Sequence, residues 1–493
     1  MLKKVLIFHL ILAFVRILYV LSEHIDLSTE EAQYWLWSKH LDWSYYSKPP
    51  LIAYLNFIST SILGDTVIGV RINAILIGFL VAVFSFLFMK YLFKDEKLAF
   101  LTSVFLYGIY SYNFSSIFFL TDSPLLLFWA LTTFYFYKAV KENNPKDWIL
   151  TGIFGGLGFL SKYSMVFFFP IALVYLFIKN RKIFKEKWFY YSILIASIFT
   201  LPVIIWNFQH DFVTFKHVGH LEGAEVKEIS LSQSINYILD YIGGQIAINS
   251  IFLFPFFIYV AYRGFKDRKK EEIFYLWLPA ITVFLFFLYI AFKKKVEANW
   301  PVFAYYSFFL LTYYYIHVKK WFKVALIPFL LSVFSVIVFF YTPILDMIGL
   351  GKILPPKKDP TKRVIGWKEL GLKVTNIVDH LKTDKYFIFS HSYHIASEMA
   401  FYVKGHPQTY CINLGRRMNQ FDLWEGIDKF SNKGYYGIYV SDKPISDRVL
   451  KGFKKLEKSY IHNVRYRGEI VRIYYIYVLK DYIKIHQLKP QSF

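Results

Sequence analysis

Cysteine is almost missing from this chain: Cys411 is the single thiol in 493 residues. One thiol excludes an intrachain disulfide and any cluster of cysteine metal ligands, and it leaves the redox compartment unread. Acidic residues are also sparse, 35 against 57 Lys and Arg, for a formal net charge of +22. An excess of that size is often a nucleic-acid footprint, but here the bases form no patch. They lie in short segments between apolar runs, where they set orientation across a bilayer, so no nucleic-acid partner is expected. A small-residue cleavage site is lacking after the first apolar run (5–21), although that run has a basic start. More apolar runs follow it, so it reads as a retained first helix rather than a signal peptide. No fixed-period repeat or low-complexity tract is visible.

What fills the chain instead is apolar and aromatic residue, 56% and 21% of it. Soluble domains hold less apolar residue than this, and many runs approach the ~20 residues that cross a bilayer core. The runs predict about eleven spans, near 4–22, 67–91, 98–116, 123–140, 147–162, 164–179, 188–207, 241–262, 272–292, 299–317 and 322–341. With the N-terminus inside, the inner segments collect the bases, including Lys179, Arg181, Lys182, Lys185 and Lys187, then Arg263, Lys266, Arg268, Lys269 and Lys270. The outer loops hold far fewer, which supports that orientation in the cytoplasmic (inner) membrane.

Past residue 342 the character changes. A Pro- and Lys-rich stretch, KILPPKKDPTKR (352–363), reads as a linker. Short β-rich runs follow at 386–391, 408–413, 435–441 and 470–479, between polar, helix-like segments. The expected fold is therefore an α-helical polytopic membrane domain (1–345), with a first outer loop at 23–66, and a small α/β domain (346–493). An odd span count puts that domain outside, with the first loop.

The first outer loop holds the densest chemistry, LSTEEAQYWLWSKHLDWSYYSKPPL (27–51). Ser28 or Thr29 can cap a helix whose first turn carries Glu30 and Glu31, acids that the helix dipole favours there. Trp35 and Trp37 place that helix in the bilayer interface, where such rings are enriched. Tyr45, Tyr46 and Lys48 follow, and Pro49-Pro50 stiffens the chain beyond the lysine. A carboxylate beside a positioned ammonium suits general-base chemistry next to a bound phosphate. Asp122, at the outer end of an uncharged run, is a boundary acid of the kind that faces a polar cavity; before Ser123-Pro124 it can equally cap a helix. Lys162-Tyr163 lies between two apolar runs. Lys293, Lys294 and Lys295 break the positive-inside pattern and suit an anionic headgroup. Trp206, Asn207 and His210, with His217 and His220, lack the tight ligand spacing of zinc sites. A pocket wall is expected of them, not a metal.

The loop resembles the first outer loop of the polyprenyl-phosphate-sugar-dependent membrane glycosyltransferases, the GT-C group that includes protein O-mannosyltransferases and lipid A aminoarabinose transferases. The resemblance continues through TDSPLLLFW, GLGFLSKYSMVFFFP, PVIIWNFQHDFVTFKH and EANWPVFAYYS, then ASEMAFYV and GRRMNQFDLW in the tail. It implies that Glu30 stands where the family has the Asp of an Asp-Glu pair, its catalytic base, and Glu31 where it has the Glu. It implies that Lys48 holds the lipid phosphate with Tyr45, and that Asp122 is a second acid of the site. Glu30 is one methylene longer than the family's Asp, and Gln33 replaces an arginine of some members.

The expected function is transfer of a sugar from a polyprenyl-phosphate donor to an acceptor hydroxyl at the outer face, with inversion. The acceptor classes left open are glycolipid, glycan and protein. Glu30 or Glu31 would be the base, with Lys48, Lys162 and Lys293–Lys295 offsetting phosphate charge. No metal or other cofactor is expected to be required. Arg416, Arg417, Asn419 and Gln420 are candidate acceptor contacts. A flippase for lipid-linked sugars would need broken, paired spans at the midplane; a non-catalytic envelope assembly protein would not need the acid–lysine loop.

Overall fold

A computed structural model describes residues 1–222 and 230–490, with no side chain described at 220–222. Lys227 of the second large outer loop and the His220 side chain therefore lie outside the described residues.

Helix covers every one of the expected apolar runs, but not uniformly. Among the described residues, five helices are long and apolar enough to cross a bilayer alone: Leu2–Leu21, Val67–Phe93, Lys187–Gln209, Glu271–Ala291 and Phe322–Phe340. The run at 241–262 is not one straight helix. Leu231–Asn249 and Phe254–Lys266 meet at 107°, because Ser250 takes its hydroxyl to Ser332 at 2.6 Å and Pro255 starts the second helix, where its missing N–H is harmless. The 98–116 run is likewise divided, into Glu96–Phe105, a tight turn and Tyr110–Ser115. At that turn Gly108 lets Phe329 approach so closely that a Cβ would sit 2.8 Å from its ring. The first helix turns Leu10, Ile11, Phe14, Val15 and Leu18 outward, and the Phe322–Phe340 helix does so with Val324, Ile327 and Leu330. Apolar belts of this extent fit hydrocarbon rather than water.

The C-terminal part of the chain, expected from the sequence to lie outside and labelled the outer domain on that ground, holds a five-stranded sheet, β1 (Tyr386–Ser390), β2 (Thr409–Cys411), β3 (Tyr436–Ser441), β4 (Phe453–Tyr466) and β5 (Glu469–Tyr482), in the order β2-β1-β3-β5-β4. β1 pairs in parallel with β2 and β3, while β5 runs antiparallel to β3 and β4. Four of these strands coincide with the expected runs. The fifth, β4, is an edge strand whose side chains are mostly exposed, so it has no apolar run to betray it. Lysines along such an edge also discourage pairing with other chains.

The segment at 352–363 corrects the linker expectation. Asp359 is fully buried, caps a turn through the Thr361 N–H at 2.9 Å, and accepts from Arg467 at 3.1 Å. Arg467 also grips Asp346 at 2.8 Å. The connection is thus pinned by one arginine between two aspartates, and the outer domain is docked rather than tethered.

The docking surface is the first outer loop. The Asp26 N–H donates to Val364 O at 2.8 Å, the Trp367 N–H to Asp26 at 2.7 Å, and the Leu27 N–H to the Tyr402 hydroxyl at 2.7 Å.

Candidate active site

The loop helix, Thr29–Ser38, begins with a complete capping box. Ser28 Oγ accepts from the Glu31 N–H and the Glu31 carboxylate accepts from the Ser28 N–H. The same carboxylate meets Arg71 with two parallel contacts, Nε to Oε1 at 3.0 Å and Nη2 to Oε2 at 2.9 Å, and Oε1 also accepts the Phe119 N–H at 2.9 Å. Both side chains are wholly buried. A carboxylate offers about four acceptor sites, and Glu31 has filled them, which leaves it no capacity to take a substrate proton. Glu31 joins the loop helix to the next spanning helix and to the turn before Asp122.

Glu30 is different. It is exposed, and its one hydrogen bond among the described residues comes from the hydroxyl of its neighbour Thr29, at 3.2 Å. One turn on, Tyr34 is buried, and its phenol is pushed well above the ordinary range, first by burial and then by the charges of Glu30 and Asp122. The charges of both acids thus bear on one phenol.

Asp122 opens the Asp122–Glu142 helix with no side-chain capping bond, its expected alternative role. It pairs instead with Lys162 at 2.7 Å, both side chains largely buried, and Asn299 Nδ2 stands 3.5 Å from its other oxygen. Lys162 is the residue that ends the Pro145–Ser161 helix in extended conformation, so its side chain is delivered from a chain reversal. Asn299, Tyr34, Tyr393 and His394 are site residues the sequence reading did not single out. Asn299 and Tyr34 lie inside the EANWPVFAYYS and LSTEEAQYWLW segments, whereas Tyr393 and His394 carry no signal of their own.

Several expected roles move. Trp35 and Trp37 do not face lipid: both are buried in protein, Trp35 donating to Asp65 at 2.7 Å and lying edge-on to Phe401 at 4.9 Å, Trp37 stacked on Tyr45 at 4.5 Å. The interface placement expected of this helix gives way to contact with the outer domain, through Phe401 on Trp35 and the Tyr402 hydroxyl on the Leu27 N–H. Tyr45 is fully buried, and its hydroxyl donates within the loop, to the carbonyls of Trp37 and His40, each at 3.0 Å. That turns it from a phosphate contact into a brace. The Tyr45 N–H meets Lys48 O at 3.1 Å, closing the turn that presents Lys48 just before the Pro50-capped helix Leu51–Leu63.

The stretch from Trp206 to His217 packs against the first loop and within itself. Trp206 donates to Asp42 at 2.7 Å and stacks on His210 at 4.0 Å; Asn207 accepts the Thr214 N–H at 3.1 Å. His217 lies against Tyr46 at 4.6 Å, and Tyr163 reaches Ser44 at 3.3 Å. Of the outer lysines, Lys293 bonds to the Tyr289 hydroxyl at 2.8 Å, and Lys295 lies 3.8 Å from Glu297 in an exposed pair. These two stand on exposed ground beside their own neighbours, whereas Lys162 is built into the site.

The tail loop divides its four candidates. Arg416 is held bidentate by Asp422 at 2.7 and 2.9 Å, Asn419 caps a turn through the Phe421 N–H at 2.9 Å, and Gln420 accepts the Tyr46 N–H at 2.7 Å. Those three build and dock the loop. Arg417 alone is exposed, with no side-chain hydrogen bond or ion pair among the described residues; its charge bears on Tyr46, whose hydroxyl burial pushes up to about 12, and on Tyr393.

Comparison with known proteins shows what the chain is similar to. Residues 47–206 fit the family described as dolichyl-phosphate-mannose-protein mannosyltransferase. The chain is 26% identical to the lipid A galacturonosyltransferase RgtD of Rhizobium johnstonii, over 73% of this chain and 74% of that one. It is 24% identical to an undecaprenyl phosphate-alpha-4-amino-4-deoxy-L-arabinose arabinosyl transferase of Proteus mirabilis, over 51% of this chain and 47% of the relative. Among solved structures, ArnT from Cupriavidus metallidurans bound to undecaprenyl phosphate superposes with a TM-score of 0.67 at 12% identity, covering 96% of this chain and 97% of that one.

Proposed function

We infer that this chain, a membrane glycosyltransferase of the GT-C group, moves a sugar from a polyprenyl-phosphate carrier to the hydroxyl of an acceptor. The observation that carries the reading is an uncommitted, exposed carboxylate, Glu30, and a lysine-bound acid, Asp122, whose charges both bear on Tyr34, within a fold that covers 96% of this chain in common with ArnT bound to undecaprenyl phosphate. The flippase and assembly readings account for neither feature.

In this proposal Glu30 removes the acceptor proton as general base. The acceptor oxygen attacks the anomeric carbon with inversion, and the lipid phosphate leaves with the bonding electrons. Lys48 and Lys162 offset its charge, so the reading calls for no metal or other cofactor. Asp122 keeps Lys162 oriented. Each of the eleven helical segments is taken as one crossing, the bent pair counting as one, with the N-terminus inside. The site and the 346–493 domain then lie at the outer face of the cytoplasmic membrane, where the loop around Arg417 meets the acceptor. Lipid A is the first acceptor to try, then protein and glycan hydroxyls.

The test uses purified full-length protein with undecaprenyl-phosphate-linked aminoarabinose, galacturonic acid and mannose as donors, each against lipid A, a hydroxyl-bearing peptide and a glycan. Transfer from one of them, lost in Glu30→Gln, is the expected result. Absence of transfer from all of them, with the protein folded, would overturn it.

A further inference from the structure

The Leu2–Leu21 and Phe322–Phe340 helices end side by side, with the Tyr19 hydroxyl donating to Phe340 O at 2.7 Å and His24 against Tyr341 at 4.5 Å. Tyrosines at the ends of two spans mark the level where hydrocarbon gives way to headgroups. Thr342, two residues past the second span, meets the Tyr466 hydroxyl at 2.6 Å, so the tip of the β4–β5 hairpin stands at that level too. The chain between makes one helical turn, Ile344–Met347, and a loop that closes on itself, the Leu350 N–H donating to Leu345 O at 2.7 Å. Arg467, in the hairpin turn, clasps both ends of the loop: besides Asp346 and Asp359 it donates to Leu354 O at 2.8 Å, and its own side chain is buried. The clasp leaves outside Met347, Ile348, Leu350 and Ile353, exposed by 71, 48, 44 and 72%. Among the described residues of 346–490, no other seven-residue stretch exposes more than two large apolar side chains.

The free charges of the same segment are of one sign. Asp346 and Asp359, the only acids of 344–363, both turn to Arg467. Lys352, Lys357 and Lys358 are exposed, with no side-chain hydrogen bond or ion pair among the described residues. Lysine is depleted where two proteins meet, which argues against a protein partner on this patch. Exposed apolar side chains interleaved with lysines are what a segment lying in a bilayer interface carries, the ammonium groups meeting phosphate.

We propose that 344–358 seats the outer domain on the bilayer. Met347, Ile348, Leu350 and Ile353 enter the interfacial layer of the leaflet in which the Phe322–Phe340 helix ends, and Lys352, Lys357 and Lys358 bind anionic phospholipid headgroups there. The domain then rests on two supports, the loop helix at Leu27 and Trp35 and the lipid surface at this loop. Because Arg467 ties the loop to the sheet, lipid contact sets the height of the whole domain above the bilayer.

The test is spectroscopic and needs no substrate, so its failure leaves the proposed reaction untouched. Full-length protein carrying Cys411→Ser receives one new thiol, Met347→Cys, Ile353→Cys or, as a control, Lys433→Cys. Lys433 is exposed, next to Asn432, whose N–H meets Tyr482 O. That places it at the opposite end of the β4–β5 ribbon from Arg467, roughly 45 Å of strand away. Each thiol is labelled with an environment-sensitive nitrobenzoxadiazole dye in vesicles of phosphatidylcholine, with or without phosphatidylglycerol. Dyes on the first two positions should emit blue-shifted light and be quenched severalfold more than the control by lipids spin-labelled near the top of the acyl chain. Phosphatidylglycerol should deepen that quenching, and the combined variant Lys352→Gln, Lys357→Gln, Lys358→Gln should lose the gain without a change in melting. Quenching no greater than the control at both positions would overturn the proposal. Equal quenching with and without phosphatidylglycerol would overturn the lysine contacts. Self-quenching that grows with protein density, in place of quenching by lipid, would give the patch to a second copy of the chain and overturn the seating. Both thiols replace exposed side chains; should one variant fail to fold, the other decides.

Discussion

Arg71 and Glu31 meet through two parallel hydrogen bonds of 3.0 and 2.9 Å, with no part of either side chain in contact with solvent. Arg71 also donates to the carbonyls of Ile25 and Asp26, at 3.2 and 2.6 Å. One guanidinium therefore fixes both the entry to the loop helix and its first turn. Adjacent glutamates are sorted by this means: helical geometry points neighbours about 100° apart, so with Glu31 turned inward to the arginine, Glu30 is left exposed.

The two glutamates should separate cleanly in experiment. Removing one partner of a buried ion pair leaves the other charge uncompensated, at a cost of about 3–5 kcal/mol. Glu31→Gln and Arg71→Met should thus lower the melting temperature in detergent by many degrees, with activity lost in step with folding. Glu30→Gln should melt within about 0.5 kcal/mol of wild type, as exposed substitutions do, yet transfer no sugar. Equal melting losses at both positions would contradict the division.

That division was not legible in the sequence, and the reason is distance. Glu31 is sorted from Glu30 by an arginine 40 positions away and by a backbone N–H at Phe119, neither of which leaves a local pattern. The capping signature at Ser28 was legible because it is local. The helical runs were legible because bilayer length and composition impose them, but the bend after Asn249 came from a serine–serine contact across helices. Trp35 and Trp37 suggest the bilayer interface because such rings are enriched there, and composition does not announce that the C-terminal domain buries them instead. Tyr393 and His394 lie on the helix that docks on the first loop, a long-range contact with no local pattern, and Arg417 stands apart from its polar cluster because Arg416, Asn419 and Gln420 are engaged in building the loop.

Asp122 and Lys162 should behave as a functional pair rather than a brace. If the ion pair at 2.7 Å served only stability, exchanging the residues (Asp122→Lys with Lys162→Asp) would restore folding and activity together. With Lys162 facing the leaving phosphate, the exchange should restore melting while leaving kcat about 10²-fold or more down, the scale of lost transition-state charge stabilisation. Lys162→Ala should lower kcat and raise donor KM. Recovery of full activity in the exchanged protein would contradict the role given to Lys162.

Arg417 and Arg416 should also part company. Arg417→Ala removes a cation with no internal partner, so melting should hold while acceptor KM rises about tenfold and donor KM stays put. Arg416→Ala strips Asp422 of its bidentate partner and should lower melting by about 1–3 kcal/mol, since hydrogen bonds to charged groups are worth that much. Unchanged acceptor KM in Arg417→Ala would remove the tail loop from acceptor binding.

Glu398 makes the contact between the two domains depend on pH. It is fully buried on the Tyr393–Tyr402 helix, and neither oxygen has a hydrogen-bond partner among the described residues. Burial drives its pKa well up, and the charges of Asp26, Glu31 and Glu30 add to the rise while Arg472 opposes it. In the unfolded chain this acid would titrate near its ordinary value of about 4.3; in the fold it keeps its proton far beyond that. Folding then takes up a proton in the interval between, so the stability it contributes is complete below about pH 4 and declines as pH rises, by up to about 1.4 kcal/mol per unit until the folded group ionises. Glu398→Gln supplies a neutral side chain of the same shape and removes the proton from the balance. Its melting temperature should lie nearest wild type at or below about pH 4 and exceed it increasingly toward pH 9. Parallel melting curves for the two proteins across that range would show that Glu398 ionises without cost, and the buried, unpaired placement of its carboxyl group would have to be wrong.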